Sequence, residues 1–455
     1  MSTPAAGDAK SGELERSLGP ITIWALGVGY VISGMYFGWN LGLPVGGPYG
    51  LLLATVVVTV MYVTFVLGYM ELSCALPRAG GAFVYAREAF GPGVGFLAGV
   101  AQCIEFVFAP PAIAFAIGNY AAIYVDVPPW VVPVTVYGLF TALNAWGVKQ
   151  SAIFELGITV LAVGELLIFA GVTLPRFEWA RFAQDPLPNG WAGTFAAVPF
   201  AIWFYLAIEG VANIAEEAKE PARDLPRGFL LAMATLVLLA ATTLFGAVGV
   251  AGWRAVVFKP VTTGVELGPG VAEPSDSPLP LALAQVFGPD HALYHLVVGI
   301  GLCGLLASFH GIILVAGRAT FELGRAGYFP SKLGVVHPRW KTPAWALLAN
   351  MLVGLGALAT GKTAEIIAVA VLGALTLYVV SMLSLFKLRS SRPDLPRPFR
   401  TPLYPVVPGV ALALAIGSFV ATAVTGDWRV AAAYAGLLLL AGLYYQLVVA
   451  KSLKV

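Results

Sequence analysis

The chain alternates long apolar runs with short polar stretches punctuated by glycine and proline. Runs of about 20 residues, enough to cross a bilayer, fall near 20–43, 48–76, 92–124, 129–147, 152–174, 192–217, 228–252, 291–323, 343–360, 364–387, 403–425 and 428–450. The pattern predicts an all-α integral membrane protein with about twelve transmembrane helices, their ends set only to within several residues. Two runs are interrupted. The first reads GVGYVISGMYFGWNLGLP; Gly27, Gly29, Gly34, Gly38 and Gly42 make it a poor continuous helix, and Ser33-Gly34 lies near its middle. A break there would expose backbone N–H and C=O groups to a substrate. The same small residues also serve close helix packing. The sixth run continues as AIWFYLAIEGVANIAEEAKEPARDLPR (201–227), with a carboxylate at Glu209 and a charged, proline-rich end. It lies five spans after the first, the partner position in a five-plus-five inverted repeat, and this favours exposed backbone at both breaks. The expected organisation is a tail over 1–19, a first repeat over 20–174, a second with its loops over 175–402, and two added helices with a short C-terminus over 403–455.

Composition agrees with a membrane protein. The chain is 59% hydrophobic and 11% charged, against about 25% charged in soluble domains. A net charge of +2 gives no electrostatic case for nucleic acid. With the N-terminus inside, twenty of the 26 lysines and arginines fall in inner segments, which predicts cytoplasmic termini. No cleavable signal peptide precedes the first span, and residues 1–19 read as a flexible cytoplasmic tail. The loop from Trp253 to Pro280, rich in Gly, Pro and acid, reads either as a cover over the outer mouth or as a plain connector. Cys74, Cys103 and Cys303 lie in apolar stretches without metal-ligand spacing and read as packing residues. With no phosphate-binding lysine loop, zinc motif or nucleophile–base pair, neither an enzyme nor a cofactor is expected.

Charges inside apolar runs carry the candidate chemistry, because an unpaired charge is costly there. Glu105, deep in the third run, is the candidate counter-ion for a cationic substrate, with interhelical glue as the plainer use. Gln102, one turn earlier, shares its face and could bond a hydroxyl. Tyr36, Trp203, Phe204 and Tyr205 flank the two breaks and could form a cation–π wall, or simply pack. Glu209 follows the sixth-run break and is a candidate coupling or gating group, or a buried tie to a neighbouring helix. Glu165, and His310 beside Ser308, are further coupling candidates. Glu155 lies nearer the inner end and is expected to be solvated or ion-paired.

Several motifs are family-specific. Glu71-Leu-Ser-Cys-Ala-Leu-Pro-Arg-Ala-Gly-Gly-Ala-Phe-Val-Tyr-Ala-Arg-Glu-Ala-Phe-Gly-Pro92, Glu216-Glu217-Ala-Lys-Glu-Pro-Ala-Arg-Asp-Leu-Pro-Arg-Gly228, Arg318 with FELGRAGYFP (321–330), and Arg392-Pro-Asp-Leu-Pro-Arg-Pro-Phe-Arg-Thr-Pro402 resemble signatures of amino acid–polyamine–organocation transporters. ISGMYFGWNLGLP, AQCIEFVFAPPAIAFAIGNY and FAIWFYLAIEGVANIAEEAK are similar to bacterial ethanolamine permeases. The resemblance implies a substrate site between the breaks, around Ser33, Gly34, Met35, Tyr36, Gln102, Glu105, Trp203, Phe204, Tyr205 and Ala207. It also departs from amino-acid carriers. Ile32-Ser33-Gly34 stands where a Gly-Ser-Gly-like run holds a substrate carboxylate, and Ala207 replaces a common glycine. The lysine that many proton-coupled relatives carry in helix five falls near Ala162, counting from Lys149-Gln150-Ser151-Ala152, so lysine-type coupling is not expected. The implied function is uptake of ethanolamine or a similar small amine across a bacterial plasma membrane by alternating access, coupled to protons rather than sodium. An amino-acid or polyamine carrier is the alternative within transport; a substrate-gated channel or a nutrient sensor is the alternative of another class.

Overall fold

The structure, a computed structural model, describes residues 16–147, 151–258 and 275–452. Residues 1–15 of the expected tail, Lys149-Gln150 and most of the Trp253–Pro280 loop lie outside the described residues. The chain is all-α. Its helices in order are α1 (Pro20–Val31), α2 (Ser33–Tyr36), α3 (Leu43–Ala75), α4 (Ala82–Phe90), α5 (Pro92–Ala121), α6 (Val131–Trp146), α7 (Ser151–Thr173), α8 (Trp179–Phe182) and α9 (Gly190–Ala196). There follow α10 (Val198–Ile202), α11 (Pro221–Ala251), α12 (Trp253–Val257), α13 (Pro278–Phe287), α14 (Ala292–Arg325), α15 (Ala344–Leu358), α16 (Thr363–Ser391), α17 (Val406–Thr425) and α18 (Trp428–Tyr444). Pro20, Pro92, Pro221 and Pro278 open their helices, where the missing N–H costs nothing.

Eight helices among the described residues are long and apolar enough to cross a membrane. The interrupted segments 20–42 and 190–217 and the shorter α6 and α15 supply the other four expected runs. At Gly47 the backbone turns through a positive φ of 64° before α3 continues through Pro48, so the regular helix begins where the second apolar run does. The hydropathy pattern did not anticipate α4, α12 and α13. Each is too short to register as an apolar run of membrane length.

Helix α5 is the hub. Most of its surface is buried, against α14 and α16 first and α4, α6 and α15 next, whereas α18 packs at the periphery. Helix α1 packs on α11, α7 and α14. The chain enters one face of the bundle at Leu18, hereafter the N-terminal face. There Leu18 forms a lone parallel bridge to Ala218. On the same face the first and fourth motifs meet. Buried Glu71 accepts from Arg389 Nε (2.7 Å) and from the Thr401 amide (2.8 Å), and Arg397 Nε lies 3.3 Å away. The Arg389 guanidinium stacks 4.0 Å over the Tyr404 ring. This cluster pins α3, α16 and the loop before α17 to one another.

Candidate functional site

Both segments are interrupted and the interruptions touch, although the first leaves helical backbone at Phe37-Gly38, three residues past the expected Ser33-Gly34. In the first, α1 passes into α2 at Ile32, Phe37 is extended and Gly38 has φ 90°. In the second, turns over 203–207 end at Ala207, left-handed with φ 79°, and a 3-10 helix runs from Ile208 to Glu217. Gly34 lies directly against the Trp203 carbonyl, because a Cβ there would stand 2.2 Å from that oxygen. Glycine is needed for this approach.

Directly below the second break, two acids come together. Glu209 Oε2 accepts from the Tyr378 hydroxyl at 2.9 Å, and Tyr378 is bonded to the Tyr62 hydroxyl at 2.9 Å. Glu105 approaches from α5, which lies so close to α16 that a Cβ on Gly373 would stand 2.9 Å from the Glu105 nitrogen. The Glu105 and Glu209 carboxyls face each other within direct electrostatic range. Both are buried, and both oxygens of Glu105 and Oε1 of Glu209 have no aligned hydrogen-bond partner. Among the described residues, no lysine or arginine acts on either. Rings enclose the pair: Tyr62 lies 5.2 Å from Tyr205 and 5.4 Å from Tyr378, and Phe65 lies 4.2 Å from Tyr378. Two buried acids held against each other inside an aromatic shell can receive a cationic group.

The structure distributes the other expected residues differently. Of the four aromatics expected as one wall, only Tyr205 joins this shell; its hydroxyl bonds Thr59 at 2.7 Å. Trp203 lies over Gly38 and edge-on to Phe37, and Phe204 stacks on Trp39 at 5.8 Å. These rings close the side away from the N-terminal face, where Met35 supplies a carbonyl to Trp39 Nε1 and Asn40 Nδ2 donates to the Ser275 carbonyl. Tyr36 points to α7 and donates to Glu165 Oε2 at 2.7 Å, so Glu165 holds a helix-one side chain. Gln102 donates to Asn213 Oδ1 at 3.2 Å beside Gly81, on the N-terminal-face side of the acids. Ser308 Oγ donates to the Tyr30 carbonyl (3.0 Å) and lies 2.8 Å from Ser33 Oγ, tying α14 to the first break. His310 Nδ1 lies 3.2 Å from Asn144 Nδ2.

One expectation is corrected. Glu155 is not solvated, being 1% exposed, and among the described residues it has no ion-pair partner and its Oε1 no hydrogen-bond partner. The bundle extends past it, and Gly29 lets the carboxyl rest on α1, since a Cβ there would stand 2.4 Å from Oε1. Sequence reasoning also missed Tyr62, Phe65, Tyr378 and Asn213. The signal that could have found the tyrosines is a phenol deep in an apolar run, which needs a polar partner just as a carboxylate does.

Comparison with known proteins agrees with this architecture. The amino acid permease family model matches residues 18–442. The chain is 31% identical over 359 residues to an uncharacterized transporter of Rhizobium meliloti, covering 76% of this chain and 73% of that protein. It is 27% identical over 445 residues to the branched-chain amino acid permease BcaP of Bacillus subtilis (89% and 88% covered), and 27% over 345 residues to the low-affinity putrescine importer PlaP of Escherichia coli (72% and 71%). With a family match across nearly the whole chain on an all-helical bundle of membrane-length helices, the protein belongs to the amino acid permease family, within the amino acid–polyamine–organocation superfamily, and is a transporter rather than an enzyme.

Proposed function

We propose that this permease takes up a small amine lacking a carboxylate, ethanolamine or a related amino alcohol, by alternating access around the paired breaks. The supporting observation is the Glu105–Glu209 pair: two buried carboxyls set against each other with, among the described residues, no lysine or arginine acting on either. An ammonium with its three donors answers that deficit, and the Tyr62, Phe65, Tyr205 and Tyr378 rings suit its alkyl carbons. A substrate carboxylate is poorly served. At Gly34 the backbone meets the Trp203 carbonyl oxygen, a negative dipole where an amino-acid carrier needs donors. In this reading 20–174 and 175–402 act as inverted repeats, the N-terminal face is cytoplasmic, the carrier sits in the bacterial inner membrane and protons drive uptake. The putrescine importer among the relatives favours a second reading, a diamine with one ammonium on the same acids.

A thermal-shift panel on the purified protein separates the readings, since selective binding stabilises the native state. Ethanolamine is expected to raise the melting temperature above alanine, isoleucine or choline. A larger shift with isoleucine overturns the proposal; a larger shift with putrescine moves the substrate to the diamines.

A further inference from the structure

A second buried acid lies apart from the Glu105–Glu209 pair. Glu155 of α7 rests on Gly29 of α1 with Oε1 unpartnered. Beside it stands Tyr30, whose buried hydroxyl also has no hydrogen-bond partner and lies within electrostatic reach of Glu155, Arg318 and Glu217. The Tyr30 ring is held between two glycines. A Cβ on Gly311 of α14 would stand 2.7 Å from one ring edge and 3.6 Å from Glu155 Oε1. A Cβ on Gly210 would stand 3.2 Å from the other edge. Gly210 directly follows Glu209 of the substrate site. On its far side Tyr30 lines a cavity of about 350 Å³ that also touches buried His310 and reaches exposed Ser17 and Lys341 on the N-terminal face. Arg318 Nη1 and Glu217 Oε1 pair across this cavity at 2.9 Å.

We infer that Glu155 is the seat of the coupling proton and that Tyr30 is the shutter between it and this cavity. A buried carboxyl with a free oxygen and no cation against it can carry a proton in and lose it only to water. The cavity lies beyond the Tyr30 ring. When the segment after Glu209 moves, Gly210 no longer backs the ring, which can swing. The Glu155 proton then passes to water in the cavity and leaves a carboxylate behind. The substrate site and the proton site are joined by one residue of backbone, Glu209 to Gly210. The described groups against Glu155 are Tyr30 and Gly29 from α1, Thr159 on its own helix and Gly311 on α14, with the Arg318–Glu217 pair beyond Tyr30. Among the described residues, the α11 side presents no charge to it.

The inference rests on the chain being a proton-driven carrier with its N-terminal face inside, and it is tested in two arms. The first needs no substrate. The full-length protein in proteoliposomes is treated with an apolar carbodiimide, which modifies protonated carboxyls, and the Glu155 peptide is followed by mass spectrometry. Modification is expected to fall as pH rises on the N-terminal face; modification that is absent or independent of pH overturns the assignment. The second arm uses labelled ethanolamine. A gradient of about one pH unit supports about tenfold accumulation at one proton per molecule, because each tenfold step carries the same free energy. Glu155→Gln is expected to retain exchange at the parental rate while accumulation falls to onefold. Accumulation still driven by the pH gradient in this variant, or driven by sodium in the parent, overturns it. If the parent ignores ethanolamine while the first arm succeeds, the substrate reading fails and the proton site stands.

Discussion

Gly34→Ala probes the contact on which the site is built. The new Cβ would stand 2.2 Å from the Trp203 oxygen, 3.1 Å from its carbonyl carbon and 3.2 Å from the Phe204 Cα. All three are backbone atoms, so no side-chain rotation relieves the clash. Restoring an ordinary separation of about 3.4 Å moves the two breaks apart by about 1.2 Å, and overpacking of this kind costs about 1–3 kcal/mol. The penalty falls on the closed conformation, in which the breaks touch. A state with the breaks parted is spared, so the balance shifts from closed to open by roughly 5- to 150-fold. The assay is melting temperature with and without ethanolamine, alongside labelled-substrate exchange. Gly164→Ala serves as the control, since its added Cβ meets nothing within 4 Å. A lower melting temperature, weaker stabilisation by ligand and slower exchange are expected for Gly34→Ala alone. Parental behaviour in all three would refute the view that this backbone contact shapes the site.

Ala207→Gly removes the cost of a left-handed alanine, about 1 kcal/mol, and is expected to raise the melting temperature; a decrease would show that the alanine methyl contributes more than its φ of 79° costs. Glu105→Gln keeps the shape but loses the charge, and is expected to weaken amine binding roughly ten- to a hundredfold in a folded protein, read by isothermal titration. Unchanged affinity would assign Glu105 to helix packing. Glu71→Gln leaves Arg389 and Arg397 around an uncharged amide, and loss of about 3 kcal/mol is expected. It should appear as early proteolysis at the α16–α17 loop, and a proteolysis pattern like the parent's would count against a pinning role for the cluster.

The number of membrane-length runs, the break close to Ser33-Gly34 and the acid just past the sixth-run break were legible in the sequence because each is a local property. Twenty apolar residues must be helical in lipid, since no water is there to satisfy the backbone. Glycines in one run mark where a helix is weak without reference to neighbours. What lay beyond reach was which residue meets which. Glu105 and Glu209 were legible as two separate acids, yet their pairing depends on how α5 and the 3-10 segment are rotated. Rotation cannot be read from hydropathy when lipid-facing and protein-facing sides are equally apolar. The same blindness set Tyr36 in the expected wall, when α14 and α7 draw it to Glu165. It also left out Tyr378, which lies 169 residues from the Glu209 it bonds. Distance from the end of a run placed Glu155 near water, but the packing of α1 and α14 against α7 buried it. The chain alone determined where it crosses and where it breaks; the tertiary structure decided which buried charges face one another, because that choice is made between helices rather than along them.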